Sequence, residues 1–230
     1  MLEQLPVHLP GEIIEGRVIF DNIRKFIKYT LSSNAGELFL MLISPFLGMP
    51  LPLLPLQILW VNLVTDGLPG LALAQEEGEP GVMERSPFKP QESVFSRGVG
   101  TQILWIGALM GFVSIVVGYG AWNNDNNSPW QTMVFTTLVL SQMGNALAIR
   151  SSRDSIFTIG LFSNRLMVIA VLTTLALQLL LIYLPPLQKV FSTEALSAPQ
   201  LLICLAASAI VFICLEFYKW VKRARETRVA

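Results

Sequence analysis

The sequence predicts an all-α, polytopic membrane protein, and three observations carry that prediction. Apolar residues make up 53% of the 230, mean hydropathy is +0.56, and 14% are charged, where soluble domains carry about 25%. Six apolar runs, at roughly 30–48, 53–74, 99–121, 131–149, 165–184 and 199–218, are each about the length a helix needs to cross a bilayer. The basic residues then sort themselves between alternate connectors, as the positive-inside rule requires.

Taken in order, residues 1–16 form a leader that matches no membrane pattern. Glu3, Pro6, Pro10 and Glu12 interrupt any apolar core of a signal peptide, and the single His8 reads as solvated. From Arg17, Ile19, Ile23, Phe26 and Ile27 recur at helical spacing while Arg17, Arg24 and Lys28 share another face. One helix over 17–47 would be about 46 Å long. That exceeds the membrane, so its first half is expected to stand in water as a stalk. The second run, 53–74, is followed by a connector, 75–98, rich in Pro, Glu and Gly. It reads as a solvated loop or as a docking surface for a cytoplasmic domain. "WNNDNNSPW" (122–130) is a polar turn between the third and fourth runs, and 223–230 is a basic tail.

With six spans, every one of the sixteen Lys and Arg residues except Lys189 falls on one side. Both termini are therefore expected in the cytoplasm, in a bacterial plasma membrane or its equivalent. The formal net charge is zero, so no basic field points to nucleic acid, and the expected surroundings are the lipid bilayer. Cys204 and Cys214 share one helical run, about 15 Å apart in rise, too far for a disulfide.

"ILWVNLVTDGLPGLALA" (58–74) departs from a lipid-facing pattern. A carboxylate in mid-membrane costs about 2.5–3.5 kcal/mol on insertion scales and marks function by default. Asn62, Thr65 and Asp66 stand at i, i+3 and i+4, one face of an α-helix. In "SSNAGELF", Asn34 and Glu37 share a face in the same way. Two neighbouring helices thus each offer an amide oxygen and a carboxylate, and Thr65 adds a hydroxyl. Facing carboxylates repel unless a cation lies between them. The donors are all hard oxygens, which suits Ca²⁺, Mg²⁺, Na⁺ or K⁺ rather than zinc or copper. Pro69 cannot donate to the carbonyl of Thr65, which could free a backbone oxygen at ion depth. "SQMGNALAIR" adds Gln142, a neutral sixth candidate ligand, with Ser141 and Asn145 beside it. For Asn, Gln and Thr, interhelical hydrogen bonding is the competing role.

"IRKFIKYTLSSNAGE", "QILWVNLVTDGLPGLALA", "SPFKP" and "SQMGNALAIRS" together resemble the C-terminal membrane half of P-type cation ATPases. The closest group is the calcium pumps of the reticulum and secretory-pathway kind and their bacterial relatives. The resemblance runs from about Gly16 to Lys222. It implies that the six spans match the last six helices of the family, and that Asn34, Glu37, Asn62, Thr65 and Asp66 match cation ligands. It implies that the stalk, 17–30, and the 75–98 loop meet the N-terminal half or the cytoplasmic domains of a pump. Three departures qualify it. The "DKTGT", "TGES" and "GDGxND" motifs do not occur in these 230 residues, so the chain is expected not to be an enzyme on its own. ATP and Mg²⁺ would act only through other domains. The family's "PEGL" helix is absent, which leaves the site incompletely lined. Gln142 stands where two-ion reticulum pumps have a glutamate, which favours one ion per cycle or a different ion.

The expected function is the transport-domain portion of a cation pump, with Ca²⁺ as the cation and Mn²⁺ or Na⁺/H⁺ as alternatives that residue type does not separate. A split-pump subunit and a gene fragment both fit. The alternative is a non-catalytic membrane partner that modulates an intact pump through the stalk and the loop. A passive channel fits less well, because the polar cluster sits near mid-depth and no span is polar along its whole length.

Overall fold

The computed structural model describes all residues except 1–8, 80, 84, 85, 87, 89, 90, 125–127 and 230. The readings of His8 and the start of the leader, of Arg85 and Lys89, and of the centre of the 122–130 turn lie outside the described residues. Among those described there is no strand, and six long helices dominate. They are α1 (Leu9–Ile43), α2 (Pro55–Ala74), α3 (Val99–Asn124), α4 (Trp130–Ile149), α5 (Arg165–Tyr183) and α6 (Ala198–Val229).

Two boundaries differ from expectation. Helix α1 starts at Leu9, not at Arg17, so the second half of the leader belongs to the stalk. Pro10 falls in the first turn, where its missing N–H leaves nothing unpaired, and Glu12 there favours the helix dipole. At the other end, α6 carries helix through the basic tail to Val229.

Five helices, α2 to α6, are long and apolar enough to cross a membrane. The sixth expected span, 30–48, does not qualify on composition. Ser32, Ser33, Asn34, Gly36 and Glu37 dilute its hydropathy, and helix α1 gives way to a 3₁₀ turn over Ser44–Leu47 that ends at Gly48, φ +73°. The segment nevertheless lies against the middle of α3, backbone to backbone. A Cβ on Gly107 would sit 2.5 Å from the Ala35 Cβ and 2.9 Å from the Gly36 nitrogen, and one on Gly111 2.8 Å from the Gly36 carbonyl oxygen. Glycine at these positions lets the polar stretch of α1 approach a membrane-length helix without a gap.

Helix α4 is the hub. It packs against α1, α2, α3, α5 and α6, and 83% of its apolar window is buried, against 22% for α6. Phe135, Leu138 and Val139 are fully buried within it. Helix α6 turns Leu202, Ile203, Ile210 and Ile213 outward, the pattern of a helix facing lipid.

The 75–98 connector lies on the stalk of the same chain. Arg17 donates to the Val82 carbonyl at 2.8 Å, and Arg24 donates to the Ser96 carbonyl at 2.8 Å. The guanidinium carbons of Arg24 and Arg97 lie 4.5 and 3.8 Å from the centre of the Phe88 ring. The loop is thus tied to α1 at these residues, while most of its described residues remain exposed.

Candidate cation site

Helix α2 changes its winding at the residues singled out by sequence. An α-helical segment (Pro55–Trp60) gives way to a π-helical turn over Val61–Thr65 and returns to α over Gly67–Ala74. The Asp66 N–H bonds the Val61 carbonyl at 2.9 Å, closing the wide turn. Pro69 explains part of this. It has no N–H to give the Thr65 carbonyl, so the normal α ladder cannot continue there. Such bulges recur at functional sites because one inserted residue re-aims its neighbours.

The wide turn corrects the α-helical spacing argument. Thr65 and Asp66 are buried, at 0% and 3% exposure, while Asn62 is turned outward and exposed. Its amide still reaches the site, donating to Glu37 Oε2 at 3.1 Å and to the Ile58 carbonyl at 2.9 Å. Exposed Leu59 and Leu63 flank it, so the site has an open, apolar side along α2.

Glu37, 5% exposed, is the centre of the cluster. Its second oxygen receives the Gln142 amide at a long 3.4 Å. Asp66 lies within Coulombic reach of Glu37, and the Ser33 hydroxyl sits beside Asp66 without closing a hydrogen bond by distance and angle. The structure therefore brings together Glu37, Asn62, Asp66 and Gln142, with Thr65 on the same turn. Asn34, one turn from Glu37, is half-buried, and its side chain makes no hydrogen bond among the described residues.

The oxygens left over are the informative part. Both Asp66 carboxylate oxygens, Thr65 Oγ1, Ser33 Oγ, Ser141 Oγ, Gln142 Oε1 and Asn145 Oδ1 are buried without a hydrogen-bond partner among the described residues. Folded proteins leave few such groups, and each costs about 1–3 kcal/mol. Those of Asp66, Thr65, Ser33 and Gln142 lie at or beside the two carboxylates, and such a set of oxygens fits a hard, multiply coordinated cation. Among the described residues no three His, Cys, Asp or Glu gather in one place, so the set is rich in neutral oxygen and poor in soft donors.

The Thr65 carbonyl that Pro69 releases is not left for an ion. Tyr29 Oη donates to it at 2.7 Å from the fully buried face of α1. Asn145 donates to Ser32 Oγ at 2.9 Å, and Ser32 in turn donates to the Tyr29 carbonyl, tying α4 to the same turn of α1. Sequence reading passed over Tyr29 and Ser33. The signal was present: Tyr29, Ser33 and Glu37 recur every four residues and so form one stripe on α1. Replacing Tyr29 with phenylalanine orphans a buried carbonyl, and a loss of about 1 kcal/mol is expected, read as a lower thermal midpoint. An unchanged midpoint would show that the Tyr29 bond does not hold the bulge.

A second polar centre lies where α2, α4 and α5 meet. Arg150, 1% exposed, grips Glu76 through Nη2 to Oε1 at 2.9 Å and Nε to Oε2 at 2.9 Å. Asn164 donates to Glu76 Oε2 at 2.8 Å, and Asn22 of the stalk donates to the Glu76 carbonyl at 2.7 Å. Sequence reading had left Arg150 as a topology marker and Glu76 as part of a loop.

Comparison with known proteins places this geometry in context. The family described as "Cation transporting ATPase, C-terminus" matches residues 50–221. A calcium-transporting ATPase of Bacillus subtilis is 44% identical over 205 residues, which cover 88% of this chain and 23% of that protein. The human calcium-transporting ATPase type 2C member 1 is 37% identical over 215 residues, 93% of this chain and 23% of that protein. A calcium-transporting ATPase of Yarrowia lipolytica is 36% identical over 221 residues, again covering 23% of its length. The chain thus spans about a quarter of the curated relatives it matches.

Proposed function

The chain belongs to the family of cation-transporting ATPase C-termini, and on that premise we propose that it is the transport portion of a calcium pump, holding part of the intramembrane Ca²⁺ site. The observation that carries the reading is the set of partnerless buried oxygens around Glu37 and Asp66. Glu37, Asp66, Thr65 and the amides of Asn62 and Gln142 are the proposed ligands, with Asn34 entering from the next turn of α1. Both amides turn their N–H groups toward Glu37. A cation reverses that preference, so each amide rotates to present its oxygen. The π-helical turn supplies the slack for this, since its hydrogen bonds are less regular than those of an α-helix.

Energy for transport comes from elsewhere in the pump. The stalk and the 75–98 strap form one unit joined by Arg17, Arg24 and the Lys25–Glu79 ion pair at 3.1 Å. Motion delivered to the strap by an ATP-driven cytoplasmic domain would pass along α1 to Glu37. The exposed Asn62, between outward-facing Leu59 and Leu63, supports docking of the N-terminal half's helices on that side. Both termini and the strap face the cytoplasm in this reading.

The test is reconstitution. Co-expression with an N-terminal half that carries the phosphorylation and nucleotide domains is expected to restore ATP-dependent ⁴⁵Ca²⁺ uptake into vesicles. A chain in which Glu37→Gln and Asp66→Asn are combined should assemble with that half and fail to transport. Full uptake by the double variant would overturn the site.

A further inference from the structure

Separate from the cation site, a cavity of about 190 Å³ opens between the stalk, the strap, the start of α3 and the end of α6. Its wall includes Lys28, Arg97, Val99, Gln102, Ser152 and Lys222. Asp21, Arg24, Lys25 and Glu79 also face it. Most of these charges are already engaged. Lys25 pairs with Glu79 at 3.1 Å, Arg97 holds Glu92 with contacts of 2.8 and 3.1 Å, and Arg24 donates to the Val94 and Ser96 carbonyls. Lys28 and Lys222 have no hydrogen bond or ion pair among the described residues. Two uncommitted ammonium groups thus share one cavity, and the first turn of the 26-residue helix α3 adds its positive end.

The effect on Lys28 is measurable in principle. Burial, then the neighbouring charges of Lys222 and Lys219, push its amine down from the usual lysine range to about 8; Glu79 opposes this and Arg24 adds to it. The cavity is short of negative charge. Lys28 and Gln102 also line an adjoining pocket of about 20 Å³, room for one water, where Trp105 and Tyr218 face the polar Asn145 and Lys219. Trp105 and Tyr218 rings stand 5.3 Å apart there, and Gln102 bonds the Tyr218 hydroxyl at 3.3 Å.

We propose that this cavity binds a phosphate group, with Lys28 and Lys222 as its charged donors. Phosphate oxygens accept from both ammonium groups at once and neutralise the excess charge. Neither the cation ligands nor the reading of this chain as part of a pump enters this inference.

The experiment measures lysine acetylation by mass spectrometry at a pH of about 8, near the value to which burial and Lys222 push the Lys28 amine. The full chain is placed in phosphatidylcholine nanodiscs, in nanodiscs containing phosphatidylglycerol, and in phosphatidylcholine nanodiscs with inorganic phosphate. Bound phosphate should slow Lys28 acetylation about fivefold, the change in free amine that a one-unit rise in basicity produces at this pH. Protection by phosphatidylglycerol alone identifies a lipid, and protection by inorganic phosphate identifies a soluble source. No protection from either overturns the proposal. So does equal slowing at Lys189, which lies far from the cavity in sequence and outside its lining, because that would be a bulk surface effect. Lys222→Gln, at an exposed position, should leave the thermal midpoint unchanged and remove most of the protection. Full protection in that variant would also overturn the two-lysine site.

Discussion

Asp66→Asn is expected to weaken Ca²⁺ binding by at least a hundredfold while making the cation-free chain more stable. Both halves follow from the same geometry. Asp66 has two buried oxygens without a hydrogen-bond partner and lies within reach of the Glu37 charge. With a cation present, those oxygens are ligands of full charge, and a neutral amide offers one weaker donor. A hundredfold is about 2.8 kcal/mol at 1.4 kcal/mol per factor of ten. Without a cation, two like charges in a buried site repel, and removing one relieves the strain. ⁴⁵Ca²⁺ binding and scanning calorimetry on the same nanodisc preparation read the two effects. A purely structural Asp66 predicts the reverse: a lower midpoint with affinity for Ca²⁺ unchanged. That pattern would sink the assignment of Asp66 as a ligand.

The largest loss of stability is expected at Arg150. Arg150→Met leaves Glu76 as a buried carboxylate held only by Asn164, and strips the Gly160 and Leu161 carbonyls of their guanidinium donor. Breaking one side of a buried ion pair costs about 3–5 kcal/mol, because the remaining charge stays desolvated. The unfolding midpoint in denaturant should fall accordingly. Replacing both partners, Arg150→Met with Glu76→Leu, should recover much of the loss, since no unpaired charge then remains. A single variant within about 0.5 kcal/mol of the parent would mean that water reaches Glu76 in the folded state. The expected damage is to the joint between α2, α4 and α5, so transport would suffer through misplacement of α2 rather than through loss of a ligand.

Much of the site was legible in the residues themselves. Glu37 and Asp66 stood out because carboxylates in apolar runs are expensive, and the bundle does bring them within electrostatic reach. Pro69 correctly marked a break in α2, but the break took the form of a π-helical turn. That turn moved Asn62 outward, which no α-helical wheel could anticipate. The released Thr65 carbonyl went to Tyr29, a residue the sequence reading passed over. Arg150 and Glu76 were each visible as charges near a helix end. Their pairing across 74 positions of chain was not.

What the amino-acid order determined by itself was the class of molecule, the approximate position of each apolar helix and which polar side chains lie within those helices. These depend on composition and on short-range periodicity, which the chain carries locally. What only the tertiary structure decided was which polar atoms meet. It set Tyr29 on Thr65, Gln142 on Glu37, the strap on the stalk and two uncommitted lysines in one cavity. Those contacts depend on how helices separated by tens of residues pack, at glycines such as Gly107 and around the buried hub of α4. Packing energy is shared among many weak contacts, so no single stretch of sequence specifies it.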